Sequence, residues 1–338
     1  MKLSYRARQW LKRTAIGLAI AAVIVFLVCG FWFMTLKPFV IYTRDGIIID
    51  KSLPREIIGG KPAEPVEKKP VSIYYNEGEN AIHTSNELAQ FAGYYADTEA
   101  LREDVYTVLS QVKALPAATP VMLDVKNAKG AFFYSSSVSA SRDSAIDTAG
   151  MDELIAYLHD NQMYAIARLP ALRDYEYGLH HVPDGLPTSG GYLWADDDYC
   201  YWLNPSSQGT ITYLIQIVTE LKSLGFDEVV FDEFYFPDTD KIVFNGDKDQ
   251  AIETAAKTLL TACGSDTFAV SFVGQTPTFP LPEGRSRLYI EGASAAQVDT
   301  IAAQTGLPNP PVNLVFLTEI HDTRFNTYSV LRPLEAAH

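Results

Sequence analysis

The sequence predicts an α/β chain folded as a (β/α)8-type barrel of the TIM class, behind an N-terminal transmembrane helix. Three observations carry this. Short apolar runs alternate with segments whose apolar residues recur every three or four positions, the pattern of a parallel sheet covered by helices. Seven such runs fall within about 250 residues, which favours a barrel over a doubly wound sheet. A long uncharged stretch also follows a basic N-terminus.

Residues 1–13 form a basic cytoplasmic tail. Thr14 to Leu36, "TAIGLAIAAVIVFLVCGFWFMTL", is 23 residues without charge. As a helix it spans about 35 Å, enough for a hydrocarbon core of about 30 Å. Trp32 and Phe33 sit near its far end, where interfacial aromatics are favoured. The positive-inside rule puts the N-terminus in the cytoplasm and the rest outside. A cleaved signal peptide is the rival, with an apolar core of about 7–15 residues. This run is longer and ends in bulky Phe31-Trp32-Phe33. Residues 37–70 hold two β-rich runs flanking Asp45-Gly46, a hairpin signal. They continue into "REIIGGKPAEPVEKKP", whose Pro, Gly and charge read as a stalk. Residues 71–338 are the expected extracellular barrel domain.

Strand-like runs cover 88–96, 121–125, 164–169, 228–234, 268–273, 287–291 and 312–319. Between them, "EALREDVYTVLSQVKAL" places Leu101, Val105, Val108, Leu109 and Val112 on one helical stripe. "MDELIAYLHD", "QGTITYLIQIVTELKSLG", "DQAIETAAKTLLTAC" and "SAAQVDTIAAQTG" behave likewise. No eighth strand stands out. The barrel is expected to be incomplete, or closed with help from "VSIYYN" at 71–76.

Composition narrows the function classes. Hydrophobic residues are 47% of the 338, so a large core is possible, and a net charge of −14 opposes phosphate binding. Residues 1–36 carry five basic side chains and no acid, so the remainder holds 22 basic against 41 acidic, or −19. No nucleic-acid partner is expected. Among the cysteines, Cys200 and Cys263 map to opposite ends of the expected barrel, so no bridge is expected. There is no G-x-G-x-x-G after the first strand, no G-x-x-x-x-G-K-[ST], no H-E-x-x-H and no G-x-S-x-G. Asp196-Asp197-Asp198 lacks the spacing of a calcium loop. No cofactor and no metal are expected.

Barrel chemistry sits at the C-terminal strand ends. There the sequence offers Asp124 and Lys126, then Arg168, then Asp232 and Glu233, then Glu291, then Glu319. Glycoside cleavage needs one carboxylic acid and one carboxylate. Because neighbouring strand residues face opposite ways, Asp232 and Glu233 do not form that pair unless a bulge intervenes. The candidate catalytic residues are therefore Asp232, Glu319, Glu291, Asp124 and Glu233. Lys126 and Arg168 are candidate substrate or carboxylate partners, or members of a salt-bridge lattice that only orders strand ends. Trp194, Tyr199, Trp202 and Tyr235, with Asn204, are candidates for a sugar-binding platform. Their alternative role is packing within the long loop.

Four stretches, "VMLDVKNAKGAFFYSS", "YAIARLPALRD", "YWLNPSS" and "GFDEVVFDEFYFP", resemble a bacterial glycoside-hydrolase domain family of the TIM-barrel class, largely uncharacterised. Its first motif ends a strand in Asp-x-Lys, matched by Asp124 and Lys126. The second, Ala-Arg before a basic-Asp pair, is matched by Arg168, Arg173 and Asp174. Trp202, Asn204 and Pro205 match a Trp-x-Asn-Pro segment. Asp232, Phe236 and Pro237 match a strand ending Phe-Asp-Tyr-x-Arg-Phe-Pro. Glu233 and Tyr235 stand where the family has Tyr and Arg, and the family's later Pro-Met-Val-Tyr-Pro run is not recognisable. The resemblance implies a barrel acting on a polysaccharide and singles out Asp232. The expected function is membrane-anchored glycoside hydrolysis at the cell surface. The alternative is a non-catalytic glycan-binding or envelope scaffold protein.

Overall fold

The computed structural model describes residues 88–334 and the backbone of two short strands near residue 45. Those strands, β1 (Val40–Thr43) and β2 (Gly46–Ile49), pair antiparallel with Thr43 opposite Gly46. The transmembrane segment at 14–36, the stalk and the 71–76 run lie outside the described residues. Among the described residues, no helix is long and apolar enough to cross a membrane. The chain divides into two units, Met1–Asn80 and Ala81–His338, and the barrel lies in the second.

Eight parallel strands close this barrel: β3 (Ala92–Ala96), β4 (Val121–Asp124), β5 (Ala165–Pro170), β6 (Glu228–Asp232), β7 (Ala269–Val273), β8 (Leu288–Glu291), β9 (Leu314–Leu317) and β10 (Ser329–Pro333). Each pairs with its sequence neighbour, and β10 pairs with β3, Val330 beside Ala92. The barrel is therefore complete, and β10, "SVLRP", is the eighth strand that the sequence did not reveal. It is short, and Arg332 and Pro333 interrupt its apolar character, so it gives little periodic signal. The run read as a strand over 312–319 is also trimmed, because Pro310–Asn313 forms a helical turn before β9.

The main helices are α1 (Thr98–Lys113), α2 (Thr148–Asp160), α3 (Tyr175–His180), α4 (Gln208–Ser223), α5 (Lys248–Cys263) and α6 (Val298–Thr305). Asp97, Asp147, Asp174, Ser207 and Asp247 cap the first five, each accepting a backbone N–H of the first turn. On α1 the buried side chains are Leu101, Val105, Val108, Leu109 and Val112, the stripe that the 3–4 spacing predicts. Gly93 in β3 is required by close approach: a Cβ there would lie 2.3 Å from the Pro120 carbonyl oxygen. Cys200 and Cys263 are both buried and free.

Inside the barrel, side chains stack in tiers. Met122, Ile166, Val230, Val273, Tyr289, Val315, Leu317 and Leu331 form the apolar filling. Beneath it, toward the strand N-termini, lies a buried ion pair. Arg287 Nη1 donates to Glu228 Oε2 at 2.5 Å. Tyr164, Ser271 and Tyr289 hydroxyls also donate to that carboxylate, at 2.9, 2.5 and 3.0 Å. Glu228 therefore enters the interior fully hydrogen-bonded, as a buried carboxylate requires.

Candidate active site

Side-chain alternation sets the top tier. Ile166 and Arg168 share one face of β5, Val230 and Asp232 one face of β6, and Tyr289 and Glu291 one face of β8. Because Ile166, Val230 and Tyr289 fill the interior, Arg168, Asp232 and Glu291 face the mouth. Asp124 follows Met122 in the same way and lies beside Arg168 in register.

Arg168 is the centre of this tier. Its Nε and Nη2 donate to Asp124 Oδ1 and Oδ2 at 2.6 and 3.2 Å, and its Nη1 donates to Glu291 Oε1. Burial works against the Arg168 charge, but the Asp124 and Glu291 carboxylates outweigh it and raise its pKa. Asp232 adds to the same field. Asp124 also accepts from the Thr98 backbone N–H at 2.7 Å and hydroxyl at 2.8 Å. These four donors occupy both oxygens of the Asp124 carboxylate. Its role here is to hold Arg168. Glu319 is exposed just past β9. Together with Asp97 it acts on Tyr95, whose phenol is pushed up to about 12, first by burial and then by these two carboxylates. Tyr95 was absent from the sequence-derived candidates. It shares a face of β3 with Gly93 and packs against the barrel interior, and that parity is the signal that could have placed it at the mouth.

The end of β6 departs from simple alternation. The strand stops at Asp232, and Glu233 adopts a left-handed backbone with φ 51°. Strain of this kind in a non-glycine residue costs about 1–3 kcal/mol and recurs at functional sites. The turn lets the Glu233 N–H donate to Asp232 Oδ1 at 2.7 Å, fixing the aspartate. It also swings Glu233 toward the loop after β5, where Arg173 Nη1 donates to it at 3.3 Å. Burial raises the Glu233 pKa, opposed by the Arg173 charge and reinforced by Asp232. Alternation alone would have sent Glu233 to the helix side. The left-handed residue keeps both acids near the rim.

Arg173 organises the loop beyond. Its Nε donates to Asp196 Oδ2 at 2.6 Å and its Nη2 to Asp198 Oδ2 at 2.6 Å. Trp202 Nε1 also donates to Asp196, at 3.0 Å. Both aspartates thus share one guanidinium. Among the described residues, no group of three or more His, Cys, Asp or Glu is arranged to hold a metal. The aromatic residues mostly pack on one another. Trp202 is 4% exposed and lies 6.4 Å from Trp194 and 5.1 Å from Tyr235, ring to ring. Trp202 is therefore a loop-core residue rather than an open platform, whereas Tyr199 stands 77% exposed. Asn204 shapes a turn, its Oδ1 accepting the Ser206 N–H at 2.9 Å.

Lys126 is also moved from its expected place. Past β4, the chain folds back so that Lys126 bridges Phe132 antiparallel. Its Nζ lies 2.7 Å from Asp174 Oδ2, with both side chains fully enclosed. Asp174 further accepts from the Tyr213 hydroxyl at 2.9 Å and the Tyr177 N–H at 2.8 Å. Sealed in this way, Lys126 cannot meet a substrate at the mouth.

The fold and this strand-end tier define a TIM-class barrel. Residues 93–265, slightly more than half the chain, match the model of a family described as "Putative glycosyl hydrolase domain", and the chain belongs to that family. It is similar to a hypothetical protein from Ruminiclostridium thermocellum at 23% identity, covering 53% of this chain and 96% of that one, with a TM-score of 0.44. It is similar to the glycoside hydrolase domain of PelA from Pseudomonas aeruginosa at 12% identity, covering 73% and 95%, TM-score 0.44. An α-galactosidase from Lactobacillus brevis aligns at 13% identity over 74% of this chain and 38% of its own, TM-score 0.49. No curated protein matches the chain.

Proposed function

We propose that the protein is a membrane-anchored glycoside hydrolase that cleaves a cell-surface or extracellular polysaccharide with two carboxyl groups. The observation that carries this is the tier of inward carboxylates around Arg168 at the strand ends. Asp124, Arg168, Asp232 and Glu233 all lie within the residues that match the hydrolase family. Asp232 is the nucleophile or base, held by the Glu233 N–H and lying in the field of Arg168. The reaction also needs a carboxyl that keeps its proton until the glycosidic oxygen takes it. Glu233, raised by burial, is the first candidate, and Glu319 across the mouth is the second. Asp124 and Glu291 hold Arg168. A separation of about 5–5.5 Å between the working pair means retention of configuration, and about 6.5–9.5 Å means inversion.

One observation favours a second reading. Asp124 and Glu291 are both committed to Arg168, as a closed lattice that only orders strand ends would require. That would suit a non-catalytic glycan-binding or scaffold barrel. A glycan-hydrolysis screen of the wild type beside Asp232→Asn separates the two. Loss of turnover in the variant supports hydrolysis, and equal activity removes Asp232 from the mechanism. The anchor rests on the uncharged Thr14–Leu36 run behind its basic tail. Protease added to intact cells is expected to digest the barrel and spare the N-terminus.

A further inference from the structure

We infer that the cleft between the β6 and β7 loops is a second binding region for the same glycan, and that it takes cationic, amine-bearing sugar residues. This rests on the proposed action on a polysaccharide. The cleft has a volume of about 780 Å³, within the usual range of about 300–1,000 Å³ for ligand sites. One wall, Phe234 to Pro237, follows directly on Asp232 and Glu233. The other, starting at Gln275, follows the end of β7. A chain seated at the mouth could therefore run into it.

Its lining suits sugars. Phe279 stacks on Phe272 at 5.3 Å and 30°, so the floor continues the rigid aromatic core. Tyr235 is braced by Trp202, and the exposed Gln275, Thr276 and Thr278 supply hydrogen-bonding groups along one side. Charge narrows the class. Asp238, Asp247, Asp249 and Glu253 line the cleft with Lys248, whose Nζ lies 5.7 Å from the Phe236 ring centre. Glu253 is paired with Lys257 and Asp247 caps α5, so Asp238 and Asp249 are the carboxylates that set the charge. A uronic-acid chain would meet like charge. A neutral chain would gain only stacking and hydrogen bonds. Ammonium groups would gain the carboxylates and the aromatic faces as well.

The test titrates the full chain carrying Asp232→Asn, which keeps the probes intact, with three oligosaccharides: a glucosamine tetramer, its N-acetylated counterpart and tetragalacturonate. The glucosamine tetramer is expected to bind on the order of tenfold tighter than the other two, and more weakly as salt rises. Adding Asp238→Asn with Asp249→Asn is expected to remove that preference. Both side chains are exposed, so an unchanged melting temperature shows that the fold survives. Equal binding of all three probes, no binding of any, or a preference untouched by the double substitution overturns the inference. Failure of the hydrolysis reading would instead appear as equal turnover in wild type and Asp232→Asn, and would leave this titration unaffected.

Discussion

Replacing Lys126 by Met tests whether this residue serves structure or substrate. Lys126 Nζ and Asp174 Oδ2 lie 2.7 Å apart with neither side chain exposed. Met preserves the length and apolar stem but removes the charge, leaving the Asp174 carboxylate buried with only the Tyr213 hydroxyl and Tyr177 N–H as donors. Breaking a buried pair from one side costs about 3–5 kcal/mol. The two remaining donors argue for the lower end, about 3 kcal/mol. For a domain of this size each kcal/mol moves the melting temperature by about 2–4 °C, so a drop of about 6–12 °C is expected. Adding Asp174→Asn removes the stranded charge while retaining an N-cap acceptor. It should recover part of the loss, so that the two single substitutions are non-additive. Thermal melts of the four proteins in this cycle provide the assay. A Lys126→Met protein that melts within 2 °C of wild type (about one kcal/mol at most), yet binds glycan more weakly, would refute the buried-pair argument and return Lys126 to the mouth.

Other outcomes follow from the same contacts. Glu233 has a folded pKa raised above its ordinary 4.5, so the folded chain holds this proton more tightly than the unfolded one. Its contribution to stability is present below the unfolded pKa and is lost as pH rises through the folded value. The melting temperature of Glu233→Gln relative to wild type should therefore climb between pH 4 and pH 7, and a fall over that range contradicts the assignment. Arg287→Met strands the buried Glu228 carboxylate and should cost about 3–5 kcal/mol, read as a shift in urea midpoint that Glu228→Gln partly reverses. Leu214 is fully buried on α4, so Leu214→Ala should cost about 2–5 kcal/mol with no change in glycan affinity.

The barrel was largely legible because its signals are local and repetitive. The α1 stripe from Leu101 to Val112 and the apolar runs of β4 to β9 follow from periodicity alone. β10 was not legible: five residues ending in Arg332 and Pro333 carry no pattern, and only pairing to β3 makes them a strand. At the site, strand-end position identified Asp124, Arg168, Asp232 and Glu291 as neighbours. Loop geometry erased the rest. Lys126 lies two residues beyond Asp124, and parity would place it in the mouth, yet the chain turns back at once and buries it against Asp174. The left-handed φ of Glu233 is likewise invisible in a sequence, because glutamate rarely adopts it. The residues that carry the family resemblance also pair with one another or with their own loops: Arg168 with Asp124, Lys126 with Asp174, Arg173 with Asp196. Much of the recognisable motif is thus a set of ion pairs that hold the rim.

The two polar tiers inside the barrel have a consequence for how this protein tolerates change. Glu228 and Asp232 stand at opposite ends of β6, four residues or about 13 Å apart along the strand, with the apolar filling between them. Substitutions more than about 7–10 Å apart that share no partner combine nearly additively. The floor and the mouth are therefore separate mutational compartments. Variants that strengthen the Glu228–Arg287 end can be joined to variants that alter the Asp232 end without one rewriting the effect of the other. Such a barrel could accept a new specificity at its rim while its folding margin is set from below.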